Sequence, residues 1–484
     1  MTRSGSFLPA VALFLVLAAC GRNQDDAPLA ASVIGEQLTI VDPNREALDA
    51  ARSVMIGAVA QGLVRFDGAG QIEPALAMRW AISQDGLYYT FRLADIDGID
   101  AELVAKRLRA AIASRSKNAL KPVLGAIREV VAVTPEVVEI RLIAPRPGLL
   151  DLLAAPEMGI IDRKIPTGPF TLKEENQKLV ILRPTLPEDD SPPDAAKVRR
   201  MQVMLRSERT ALAVARFAAG ASDLVLGGRF SDLSIAQSAP SALRALRTDP
   251  ASGMFGLVPL KNTGLIGDSD VRRALAMSLD RDRIASVMAV QGWQTATSLV
   301  APGTLELQTP VQPGWVSQSP ADRREAAANA VRLWKTAHPD SLMVLKLSLP
   351  EGPGSILLFA FIKADWKAIG IDTQRVSGQD ADLRLIDEVA PGQSASWYLR
   401  HFTCDHSMIC SEAADADLET ARTTQQPAER VARLIDADLR LAEVTPYIPI
   451  AQPLRWSLVG SRVTGFVANN RAFHPLNHLR EDPH

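Results

Sequence analysis

His401, Cys404, His406 and Cys410 fall in one short stretch of the chain. Imidazole and thiolate groups ligate zinc and similar ions, so the residue types permit a metal site. Cys404 and Cys410 also permit a small disulfide loop if the chain is exported to an oxidising compartment, or they remain free thiols. The spacing matches no tight zinc signature. A disulfide is therefore the expectation, with no metal and no cofactor. Immediately before this stretch stand Ser396, Trp397, Tyr398, Leu399 and Arg400. An aromatic pair beside a guanidinium offers rigid contact area, polar edges and a charge, which suits a ligand cleft. The same rings suit equally well the packing of a loop onto its domain.

No phosphate-binding loop, dinucleotide glycine pattern, HExxH or GxSxG element occurs. A nucleophile, an orienting base and oxyanion donors do not assemble from the sequence, and no catalysis is expected. Six histidines are few. Three of them, His474, His478 and His484, are expected at the surface. With 53 basic and 55 acidic residues the net charge is -2, which excludes a strongly basic nucleic-acid binder by bulk electrostatics.

These groups need a scaffold. A chain of 484 residues that is 47% apolar and 22% charged has globular composition and room for two or three domains. Residues 38–43 read as a strand stopped by a turn, and 47–59 as a helix. Asp85 and Gly86 sit between two strand-like runs and predict a hairpin. A helix over 101–113 and a strand pair at 127–133 and 137–142 follow. Residues 200–205, 208–219 and 223–228 read strand, helix, strand, the grammar of an α/β layer structure. A helix starts at Ser269, with Arg272 and Arg273 expected on a solvated face. Further strands are expected at 342–349 and 382–386, and helices at 324–336, 357–366, 414–421 and 428–441. Trp334 and Trp366 lie in helical patterns and are expected to pack in cores.

The chain opens with a positive end at Arg3, an apolar run over 7–19, then Ala18, Ala19 and Cys20. That is the layout of a secretory signal, and the run is too short to span a bilayer comfortably. Leu17-Ala18-Ala19-Cys20 resembles the bacterial lipoprotein box, in which the cysteine becomes the lipidated first residue. Residues 1–19 would then be the signal peptide and 20–31 a lipidated tether, with the remainder exported and anchored at a membrane.

Several stretches resemble one family. Gly62-Leu63-Val64-Arg65-Phe66-Asp67, Ile72-Glu73-Pro74-Ala75-Leu76-Ala77, Trp80, Ser83-Gln84-Asp85-Gly86 and Tyr89-Thr90-Phe91-Arg92-Leu93 are similar to the N-terminal signature of family 5 extracellular solute-binding proteins. These are the oligopeptide, dipeptide and nickel receptors of ABC importers. Pro166-Thr167-Gly168-Pro169-Phe170 resembles their T-G-P-F turn, and Asp270-Val271-Arg272-Arg273-Ala274-Leu275-Ala276-Met277-Ser278-Leu279-Asp280-Arg281 their second-lobe helix.

The resemblance implies an α/β fold of the periplasmic binding protein type II-like class: two lobes with a cleft between them, plus a small domain inserted in lobe one. Lobe one would take 32–49, 161–261 and the C-terminal return 451–484. The inserted domain would take 50–160 and lobe two 262–450. It further implies a periplasmic, monomeric, lipid-anchored receptor that encloses a small peptide or peptide-like solute and hands it to an ABC permease in the inner membrane. Many peptide-binding relatives carry a W-x-A-D-Y-x-D-P stretch after a strand like Asp382-Leu383-Arg384-Leu385, and its acid pairs with the peptide amine. Here Ile386-Asp387-Glu388-Val389-Ala390-Pro391-Gly392 follows instead. Arg384, Asp387 and Glu388 therefore join Trp397, Tyr398 and Arg400 as candidate ligand contacts. The missing motif also admits a non-transport envelope protein that kept the fold and lost the solute site.

Overall fold

The computed structural model describes residues 27–161, 167–185, 194–290 and 292–480. The expected signal peptide, the lipidated Cys20, the start of the tether, Pro166 and His484 lie outside the described residues.

In chain order the elements are β1 (Leu29–Ile34), α1 (Ala50–Val59), β2 (Val64–Phe66), β3 (Ile72–Pro74), β4 (Ala77–Ile82), β5 (Tyr88–Leu93), α2 (Ala101–Ile112), β6 (Ile127–Thr134), β7 (Val137–Leu142) and α3 (Leu149–Leu153). Then come β8 (Phe170–Glu175), β9 (Leu179–Pro184), α4 (Ala195–Met201), β10 (Val203–Glu208), α5 (Thr210–Ala218), β11 (Leu224–Arg229), α6 (Leu233–Gln237), α7 (Pro240–Ala245) and β12 (Leu246–Asp249). The second half runs β13 (Gly253–Pro259), α8 (Ser269–Ser278), α9 (Arg281–Met288), α10 (Pro320–Ala337), β14 (Val344–Ser348), α11 (Pro353–Ala368), β15 (Asp372–Val376), β16 (Leu383–Val389), α12 (Ala395–Arg400), α13 (Glu412–Thr423), α14 (Pro427–Val444), β17 (Ile448–Ala451) and β18 (Arg455–Val459).

Two large sheets divide these strands. Lobe one is a seven-stranded sheet in the order β12-β18-β11-β1-β10-β9-β8, and lobe two a five-stranded sheet in the order β15-β14-β16-β13-β17. The chain passes from one to the other between β12 and β13 and returns between β17 and β18. These crossovers lie side by side: the Gly253 amide donates to Oε1 of Gln452 at 3.0 Å. A third, four-stranded antiparallel sheet, β4-β5-β7-β6, forms the inserted domain with α2 against it. Its own apolar core includes Phe91, Val104, Leu108 and Ile140.

β1 sits at the centre of lobe one, parallel to both β10 and β11. Its Leu29, Ala31 and Val33 are buried, and buried Ser32 donates to Glu208 at 3.0 Å. The segment expected as a tether thus becomes a central strand at Leu29, because its small apolar residues fit between two flanking strands. Residues 38–43 form no strand. Leu38 is buried, and Asp42 instead turns the chain by accepting the Asn44 amide at 3.0 Å. The chain joins the sheet of lobe two at Gly253, earlier than the expected boundary at 262.

Local chemistry explains the regular elements. The predicted hairpin forms between β4 and β5: Gly86 takes the left-handed φ of 70°, and Asp85 accepts the Leu87 amide at 3.0 Å. α8 starts on Asp268, whose carboxylate accepts the amides of Asp270 and Val271. Its arginine pair splits. Arg273 is exposed beside Asp270, whereas Arg272 is 3% exposed and donates to the carbonyls of Ile266, Val444 and Thr445. Successive helical residues point about 100° apart, so both could not share the solvated face. Trp334 and Trp366 are buried as expected, and no helix among the described residues is long and apolar enough to cross a membrane.

Candidate functional site

β16 is the strand that aims charge at the space between the lobes. It pairs antiparallel with β13, with Arg384 opposite Val258 and Glu388 opposite Met254. Leu383 and Leu385 turn into the core shared with β14 and α11. Alternation along the strand leaves Arg384, Ile386 and Glu388 on the other face. They line a cavity of about 660 Å³ together with Asp387. Lobe one contributes Arg229, Arg455 and Arg471, and the inserted domain Phe66, Leu120 and Glu157. Beyond β16, α12 and the loop after it add Trp397, Arg400, His401, His406 and Met408.

The structure therefore brings Arg384, Asp387, Glu388, Trp397 and Arg400 to one cavity. Tyr398 is not among them. It is 1% exposed and packs edge-on to Trp397 inside the core formed by α12, α13 and α14. Adjacent positions of a one-and-a-half-turn helix face apart, so Trp397, a member of the same core, also reaches the cavity wall while Tyr398 does not. Burial pushes the Tyr398 phenol well above its usual range.

The acids of the site are engaged. Arg455 Nη1 lies 2.6 Å from Asp387 Oδ1, its Nη2 donates to the Asp387 carbonyl at 3.0 Å, and the two side chains are 12% and 8% exposed. Glu388 Oε2 lies 3.3 Å from Nε2 of His401. The His401 Nδ1 is 2.8 Å from the Trp397 carbonyl, which can only accept, so Nδ1 carries a proton. When the ring is protonated, its second N–H points at Glu388. This hydrogen bond holds the Glu388 carboxyl below its usual range against the opposing effect of burial. Burial works against protonation of His401, but Glu388 and the Trp397 carbonyl outweigh it and raise its pKa. Glu157, on the inserted domain, is pushed up by burial.

The cations are less evenly served. Arg471 pairs with Asp151 of the inserted domain at 2.9 Å, donates to the Pro391 carbonyl of lobe two at 2.8 Å and lies 4.3 Å over the Phe66 ring. Arg400 donates to the Leu418 carbonyl at 3.3 Å. Among the described residues, the guanidinium groups of Arg229 and Arg384 have neither an ion-pair nor a hydrogen-bond partner. Arg229 stands in register with Arg455 across the β11–β18 ladder, and burial together with that neighbouring charge lowers its pKa.

Cys404 and Cys410 are joined in a disulfide with Cα atoms 5.1 Å apart, and the loop that they close presents His406, Ser407 and Met408 to the cavity. Bridged sulfurs are not ligands, and no cluster of three or more histidine, cysteine or acidic residues suited to a metal occurs among the described residues. His474 is not at the surface. It is 5% exposed and lies 3.1 Å from Asp249 at the end of β12. Its burial follows from the return of the C-terminal segment over lobe one, which local spacing does not reveal. His478 is half-buried beside Glu73 at 2.8 Å.

Arg229, Arg455, Arg471 and Glu157 were missed from the sequence. They come from three distant segments, Arg455 and Arg471 sharing the C-terminal return, and no spacing links them. Their shared signal is position, since Arg229 ends a buried strand and Arg455 begins one, where a sheet edge meets the cleft.

The model of the family described as bacterial extracellular solute-binding proteins, family 5 Middle, matches residues 71–409. Curated relatives include the glutathione-binding protein GsiB of Salmonella paratyphi A, 22% identical over 90% of this chain and 90% of that protein. Another is di/tripeptide-binding protein 1 of Pseudomonas aeruginosa, 23% identical over 64% of this chain and 61% of that protein. Among solved structures, the Escherichia coli murein tripeptide binding protein MppA superposes with a TM-score of 0.78 at 19% identity, covering 94% of this chain and 99% of that one. Haemophilus influenzae OppA in complex with RPPGFSPFR superposes with a TM-score of 0.77 at 16% identity, covering 94% and 99%.

Proposed function

We propose that this chain, which belongs to the bacterial extracellular solute-binding proteins of family 5, is the solute receptor of an ABC importer and captures a small peptide or peptide-like compound between its lobes. The observation that carries this is the 660 Å³ cavity, walled by lobe one, lobe two and the inserted domain at once. A solute there touches all three bodies. It stabilises the closed arrangement through contacts that an open one lacks. Two adjacent crossovers form the hinge about which the lobes part. The peptide-binding names of several relatives support a peptide-like solute. A cavity of this size, not plugged by the protein's own side chains, favours a receptor over an envelope protein that lost its site. The solute leaves unchanged and passes to the permease. The protein works as a monomer in the periplasm, and acylated Cys20 keeps it near its permease by raising effective concentration.

Native mass spectrometry of the purified mature protein, before and after unfolding and refolding, tests this. A small molecule released intact on unfolding is expected. Thermal-shift panels of peptides, opines and metal chelates should then show saturable stabilisation. Absence of both carry-over and stabilisation would count against a receptor, and a chemically altered solute would count against simple binding. An acyl group on Cys20 in the same spectra tests the anchor.

A further inference from the structure

We infer that the cavity selects an anionic, carboxylate-bearing solute and gains nothing from a free amino terminus. This rests on the receptor function proposed above and names the class of its ligand. Asp387 is an acid of β16 that lines the cavity, but Arg455 already holds it through its carboxylate and its backbone carbonyl. A bound ammonium group would have to displace that guanidinium or share its acceptor. Glu388 is bound to His401, and Asp49 accepts the Arg52 amide at the start of α1. Glu157 remains, and its burial favours the neutral form over the charged one.

On the other side of the balance, Arg229 and Arg455 meet across one ladder, and the Asp387 carboxylate is committed to Arg455. Arg229 is left beside a like charge, and although Asp387, Asp232 and Asp49 lie near enough to act on it, none is bonded to its guanidinium among the described residues. Arg384 enters from the opposite lobe, also with no ion pair or hydrogen bond among the described residues. Guanidinium groups match carboxylates in a two-pronged geometry, and such charge-assisted bonds are the strong ones. Each lobe thus supplies one free guanidinium to the same cavity. An anion that bridges Arg229 and Arg384 relieves repulsion within lobe one and ties the lobes together, which is the differential contact that closure needs.

Isothermal titration of the refolded, solute-free mature protein tests this with three probes: N-acetyl-Ala-Ala-Glu, Ala-Ala-Ala and Ala-Ala-Ala-amide. The acetylated acid is expected to bind at least about tenfold more tightly than the amide. Arg229→Ala and Arg384→Ala should each weaken the acid by about tenfold or more, with little change in the melting temperature of the empty protein. Ala-Ala-Ala-amide binding as tightly as the acid would overturn the anion selectivity and leave the receptor standing. So would an affinity for the acid that ignores both substitutions. Failure of all three probes to bind would overturn the selectivity for a carboxylate-bearing peptide and leave the receptor function to the carry-over test.

Discussion

Arg430 and Glu306 form a buried ion pair at 2.8 Å, with side chains 6% and 5% exposed, that props the first turn of α12. Glu306 also accepts the Ala395 amide at 2.9 Å and the Ser394 hydroxyl at 3.1 Å. Burial raises the Glu306 pKa and lowers that of Arg430 to about 10. From the helix that they hold, Trp397, Arg400 and His401 reach the cavity. Glu306→Ala removes one partner and leaves a buried guanidinium uncompensated. A loss of about 3–5 kcal/mol is expected in chemical denaturation. Solute affinity should fall as well, because the helix start loses two acceptor contacts. Unchanged stability would show that the pair does not support α12.

The pairing of His401 with Glu388 sets a pH window. The folded pKa of His401 is raised, so its contribution is fully present below the unfolded value of 6.5 and is lost as pH rises through the folded value. The folded pKa of Glu388 is lowered, so its contribution is present above the unfolded value of 4.5 and is lost as pH falls through the folded value. The pair is therefore worth most between those two unfolded values. Glu388 is half exposed, which limits the gain to about 1 kcal/mol or less. The stability gap between wild type and His401→Asn should be widest near mildly acidic pH and close as pH rises past neutrality. A gap independent of pH from mildly acidic to alkaline conditions would refute this.

The disulfide closes a loop with a sequence separation of 6. Chain-entropy arguments give a bridge over so short a loop about 2 kcal/mol. The loop presents His406 and Met408 to the cavity, so its order also matters for binding. Cys404→Ser with Cys410→Ser should lower stability by about that amount and weaken solute binding, and reducing agent should do the same to the wild type. Wild-type affinity in the double variant would show that the loop lies outside the ligand's reach.

The fold was more legible than the site, for physical reasons. Hairpins, caps and amphipathic helices are encoded by neighbours, as at Asp85-Gly86 and Asp268, and those elements stand where expected. Central strand β1 was not, since Leu29-Ala30-Ala31-Ser32 is small and unpatterned until β10 and β11 flank it. The site splits the same way. Arg384, Asp387 and Glu388 share one strand and Trp397 the helix after it, so one local segment marked them. Arg229, Arg455 and Arg471 reach the cavity through sheet registry and a chain return. Tyr398 and His474 were misplaced because burial depends on what packs against them, which adjacent residues do not state.

Gly228 tests how that registry delivers Arg229. A Cβ at Gly228 would lie 2.1 Å from Cδ2 of Trp456, a contact no side chain tolerates. Trp456 is 1% exposed and cannot withdraw into free space, and its Nε1 donates to the Arg229 carbonyl at 2.8 Å. The ladder between β11 and β18 already shifts register between Val225 and Gly228, beside the indole. Gly228→Ala therefore forces the strand or the ring to move, and either motion carries Arg229 with it. Overpacking of this kind costs about 1–3 kcal/mol. Denaturation should show that loss, and affinity for the solute should fall with it. Pairing Gly228→Ala with Trp456→Leu relieves the clash but leaves the Arg229 carbonyl without its donor. The double variant should recover stability in part and affinity less. Full recovery of affinity in the double variant would show that the indole hydrogen bond plays no part in placing Arg229.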